Sequence, residues 1–123
     1  MLAVSWTKCA GGVWCELEKV NVAGSTSNGA FIIWLGGERA RTIRVGHGQI
    51  ATVVRAQRHD VKVLNYRRMG TLFVTWAPLP DYEARGAATY LQQTLLPLIV
   101  DRFEEAAVID VNLPWTAKPS TRR

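Results

Sequence analysis

The chain is short of the side chains from which metal centres and membrane anchors are made. It has two cysteines and two histidines. Cys9 and Cys15 are separated only by Ala-Gly-Gly-Val-Trp, and His47 and His59 stand in no recognisable ligand spacing with them. A zinc site needs about four such groups, so neither a structural metal nor a cofactor is expected. The two thiols read as small, reduced, partly buried side chains, although a local disulfide across the Gly11-Gly12 turn is geometrically possible. Long apolar runs are also missing: nothing approaches the roughly 18 residues of a membrane span. Met1-Leu-Ala-Val is too brief for a signal peptide's apolar region and has no basic residues before it. A cytoplasmic chain without a membrane partner is the expectation.

What is present suffices for a folded domain. With 123 residues, 48% of them hydrophobic, the chain can bury a core without staples. Gly29–Leu35 is an apolar run containing the β-favouring Phe31, Ile32, Ile33 and Trp34. Gly36-Gly37 supplies a turn, and Arg41–Val45 alternates basic with apolar residues, the mark of a half-buried strand. Gly46-His47-Gly48 is expected to end that strand, with a helix starting at Gln49. Val61–Tyr66 suits a helical turn, Thr71–Trp76 a central strand ended by Pro78 and Pro80, and Asp81–Leu96 a helix halted by Pro97. Glu16–Val22 reads as an edge strand, Asp101–Ala107 as a turn or short helix, and Val108–Val111 as a last strand. The fold class is therefore α+β: a small mixed or antiparallel central sheet flanked by helices. Residues 1–14 form an arm that lays Trp6 and Trp14 over the core, 15–115 the core itself, and 116–123 a mobile basic tail.

Acidic residues are scarce in one stretch. Between Glu38 and Arg68 eight basic residues meet only Glu38 and Asp60, a net of +6 against −1 for the rest of the chain. Arg55, Arg58, His59 and Lys62 follow a spacing that one helix face would carry, and Arg39, Arg41 and Arg44 come from the neighbouring hairpin. Arginine's planar fork suits phosphate, so these seven are the candidate nucleic-acid-binding residues. An ordinary solvated face is the competing explanation, and Arg44 could instead pair with an acidic neighbour such as Asp110. No groove-reading helix marks base specificity.

GAF at 29–31 and RVG at 44–46, on two strands joined by a turn and followed by a helix, resemble the GIY-YIG nuclease superfamily. The likeness continues through GTLFVTWA at 70–77, GAATYL at 86–91 and VNLPW at 111–115. Active members use two tyrosines, a helix arginine and a metal-binding glutamate. Without gaps, those positions hold Phe31, Arg44, Val53 and Ala88 here. None can activate water or hold a metal, so the resemblance implies a degenerate GIY-YIG-like domain with no catalytic residue and no metal ligand, its four positions grouped in one pocket. A one-residue insertion would instead retain Arg55, four residues before His59. The apolar face formed by Ile50, Val53 and Val54 with Gln57 or Val61 favours the ungapped register.

Three functions follow as expectations. The first is an inactive domain that binds nucleic acid or another polyanion through the basic face. The second is a divergent metal-dependent DNA endonuclease using His47, Arg55 and His59, with Glu83 the best replacement ligand. The third is a protein-interaction module anchored by Trp6, Trp14 and Trp115.

Overall fold

The computed structural model describes residues 1–38 and 40–115. Four strands, β1 (Cys15–Glu16), β2 (Asn28–Leu35), β3 (Arg41–Gln49) and β4 (Leu72–Pro78), form one sheet. Its order is β1-β4-β2-β3 and every pairing is antiparallel. The expected α+β class is what the chain adopts. Central β2 is buried from Gly29 to Leu35 on both faces, which is why its sequence is continuously apolar rather than alternating.

Helices α1 (Ile50–Gln57) and α2 (Val61–Arg67) cover one face of the sheet; α3 (Asp81–Leu95) covers the other. Under α1 and α2 the core is mainly aliphatic, with Ile33, Leu35, Ile43, Val54 and Val63. Under α3 it is aromatic: Trp34, Trp14, Trp115 and Phe73 gather around Ala87 and Leu91. Trp6 and Trp14 of the N-terminal arm pack there as expected.

Several local expectations differ from the structure. β3 does not stop at Gly46 but runs on to Gln49, pairing Gly46 with Phe31 and His47 with Ala30. The Phe31 ring lies so close over Gly46 that a Cβ there would meet it at 2.7 Å, so the glycine serves close packing inside a strand rather than ending one. The basic helix likewise stops at Gln57. Asp60 caps a second helix by accepting from the Lys62 N–H at 2.9 Å, so Arg55, Arg58, His59 and Lys62 come from a helix end, a turn and a new helix start rather than from one face. The edge strand near residue 16 has only two residues. Glu16's carbonyl accepts from the Lys19 and Val20 N–H groups and turns the chain away. Segments 101–107 and 108–111 form neither helix nor strand apart from a bridge between Val111 and Leu2.

Cys9 and Cys15 are joined as a disulfide with Cα atoms 5.2 Å apart. This corrects the expectation of two reduced thiols. Gly11 and Gly12, both at positive φ, fold the five intervening residues back far enough for the sulfurs to meet. The basic tail of 116–123 lies outside the described residues.

Candidate functional site

A groove of about 360 Å³ opens beside β3, between α1 and the segment 101–103. β2 contributes Phe31, β3 contributes Arg44, Gly46 and His47, and α1 contributes Val53 and Gln57. Three of the four positions aligned with the nuclease centre thus share one groove. Ala88 does not line it; this residue is buried on α3. Arg55 is exposed and is absent from the lining, whereas Val53 is there.

Arg44 dominates the groove. Its fork grips Asp101 in bidentate fashion, Nε to Oδ2 at 2.8 Å and Nη2 to Oδ1 at 3.0 Å. Its Nη1 donates to Gln57 Oε1 and to Asp60 Oδ2, each at 3.1 Å. The alternative of pairing with an acidic neighbour, for which Asp110 is one example, is realised with Asp101 and Asp60. These four bonds leave at most one N–H for anything else. Burial alone would lower the arginine's pKa, but the bonds to Asp101 and Asp60 outweigh it and raise the value. For Asp60 burial acts upward, yet the hydrogen bond from Arg44 and the backbone donors of Lys62 and Val63 hold its carboxyl below the ordinary range.

His47 stands at the α3 side of the groove, edge-on to Phe103 with ring centroids 5.5 Å apart. Its Nδ1 is buried without a hydrogen-bond partner among the described residues. Burial and the nearby Arg85 lower its pKa, against a smaller upward pull from Asp81 and Glu104, so the ring is neutral at pH 7. Arg55 and His59 do not join it, and Glu83 lies outside the lining. The groove's two aspartates are both engaged with Arg44. Among the described residues no three His, Cys, Asp or Glu side chains group as metal ligands.

The candidate basic residues separate into two kinds. Arg44 and Arg58 are built into the fold: Arg58 donates from Nε to the Leu17 carbonyl at 2.7 Å and from Nη2 to that of Val20. Arg41, Arg55, His59 and Lys62 are exposed, Arg41 making only a long 3.4 Å contact to the Leu96 carbonyl. Arg39 lies outside the described residues. Sequence reasoning missed Asp101, Gln57 and Phe103 as groove residues. Asp60 had a signal, as a capping residue before an apolar run. Asp101 had none, because it meets Arg44 from 57 positions away.

Comparison with known proteins gives no match: no family model, no curated protein and no solved structure. No helix of the described residues is long and apolar enough to cross a membrane.

Proposed function

We propose that the chain is a GIY-YIG-like domain without catalysis that binds nucleic acid or another polyanion through its exposed cations. The observation that carries this is the saturation of Arg44. Where an active member would present a tyrosine hydroxyl, this groove presents a guanidinium neutralised by two carboxylates. Phosphodiester cleavage needs an activated water and positive charge on the developing anion, usually from a metal. Here Arg44 is spent, and the two aspartates that could hold a metal are spent with it; Arg102, the other cation of the lining, is exposed. The element order, a hairpin followed by two short helices, a strand beside the hairpin and a long helix, supports the same scaffold.

Of the candidate residues, Arg41, Arg55 and Lys62 are the charges left for a phosphate backbone. Three contacts imply that log affinity for DNA falls with log salt at a slope of about −3. Replacing Arg55 and Lys62 by Ala should flatten it by about two. Purified protein with magnesium or manganese should leave DNA uncut. Cutting that His47→Ala abolishes in a folded protein would overturn the inactive reading in favour of the divergent nuclease. Undetectable binding at about 50 mM salt would remove the polyanion reading.

The expected cytoplasmic placement meets one opposing feature. A disulfide between Cys9 and Cys15 belongs to oxidising compartments. Thiol titration of protein taken from cells under acid quench decides it: two free thiols favour the cytoplasm, none favours an oxidising compartment.

A further inference from the structure

We propose that a small aromatic pocket at the hairpin end of the sheet receives an unpaired base, so that the polyanion bound is single-stranded nucleic acid. This rests on the polyanion reading above. The pocket holds about 240 Å³ and is lined by Trp34, Ala40, Arg41, Thr42, Leu95 and Trp115. That is below the roughly 300–1,000 Å³ of sites for larger ligands and suits one planar ring system. Trp34 is only 8% exposed and forms the floor, held on one side by Phe73, stacked at 5.7 Å and 23°, and on another by the edge of Trp14 at 5.4 Å. Trp115 meets Trp34 at 5.0 Å and 61°. Among the described residues no ring stacks parallel on Trp115, and it is half-buried, so it is the platform.

Charge names the ligand. Among the described residues of the lining the one ionised side chain is Arg41, exposed and making a long contact to the Leu96 carbonyl. A ring seated against Trp115 therefore carries its negative charge outside the pocket, at the rim, as a nucleotide does. A base inside a duplex is already stacked on both faces and cannot enter. A base in a single strand can, and stacking on an aromatic side chain tolerates any base. Arg41 then meets the adjoining phosphate with a planar fork.

Tryptophan fluorescence of the full chain, titrated with an oligothymidylate strand, an abasic strand of equal length and a duplex, tests this. The oligothymidylate should quench the fluorescence and bind about tenfold more tightly than the abasic strand, since one stacked base is worth roughly five- to a hundredfold. Trp115→Leu should erase that advantage, and Arg41→Glu, an exposed change, should weaken every strand. Equal binding of the abasic and thymidylate strands overturns the base pocket and leaves the polyanion reading standing, whether or not Trp115→Leu folds. A thymidylate preference that survives in folded Trp115→Leu also overturns it. No binding of any strand overturns both.

Discussion

The two faces of the sheet are filled by different chemistry. On the α1–α2 side, branched aliphatic chains interlock, and Ile33, Ile43, Val54 and Val63 are wholly buried. Arg44 enters beside them with a full set of acceptors. On the α3 side the helix offers small residues: Gly86 admits the Ala107 backbone and Ile109, and beside Ala87 large rings fill the space. Each face keeps an opening at its margin: the pocket of about 240 Å³ at Trp34 and Trp115 on this side, and the groove of about 360 Å³ beside Arg44 on the other. The aromatic opening is floored by rings and suits a ligand that stacks, whereas the aliphatic one is lined by the Arg44 ion pairs.

Truncation should show the contrast most strongly. Ile33→Ala, deep on the aliphatic face, should cost about 3 kcal/mol in urea unfolding, the usual range for a fully buried aliphatic side chain. Trp115→Leu, at the open margin, should cost about 1 kcal/mol, because the site is half-solvated and can relax. Equal losses would mean that the two faces are equally packed.

Breaking the Cys9–Cys15 link is the next largest effect. Closing so short a loop stabilises by about 2 kcal/mol in the chain-entropy account. Changing both cysteines to Ser should lower stability by that amount. It should also alter the fluorescence of Trp14, which lies between them, while amide exchange in β2 slows or quickens only with global stability. A selective loosening of β2 would show that the link supports the sheet rather than the arm.

Acid should separate the faces with the smallest effect. On the α3 side His47 is held neutral, so its share of stability is present above its ordinary pKa of 6.5 and is lost as pH falls through that value toward its lowered one. On the other side Asp60 is held ionised, so its share is present above the ordinary 3.8 and is lost as pH falls further. Stability measured against pH should therefore step down twice. His47→Gln should remove the upper step and Asp60→Asn the lower one. A profile in which either variant removes the other's step would overturn the assignment.

Much of the sheet was legible because its signals are local. Phe31 to Trp34 announce a buried strand, Pro78 and Pro80 mark the end of another, and Pro97 follows a helix that closes with Leu96 in a left-handed conformation. What escaped depended on distant partners. Gly46 looks like a strand breaker until the Phe31 ring is seen lying over it. The helix break after Gln57 was readable from Asp60, yet the cationic spacing across it looked more persuasive. At the candidate site, Phe31, Arg44 and Val53 could be brought together from their motifs, but Asp101, which decides what Arg44 can do, stands in a segment with no periodicity. Arg58 reads as surface charge because backbone carbonyls, its actual partners, leave no trace in a sequence.

The Asn112 side chain closes a clasp on the N-terminal arm. Its Oδ1 accepts from the Val4 N–H at 2.7 Å, its Nδ2 donates to the Val4 carbonyl at 3.0 Å, and its own carbonyl receives the Trp6 indole N–H at 2.9 Å. Val4 and Asn112 lie 108 positions apart, so this contact closes one of the longest loops in the domain and forms late. During vectorial synthesis the arm emerges before its partner Asn112 and stays undocked, with Trp6 in water, until almost all of the described chain has followed. The aromatic face is therefore completed at the end of folding, over a sheet whose other face can already be packed.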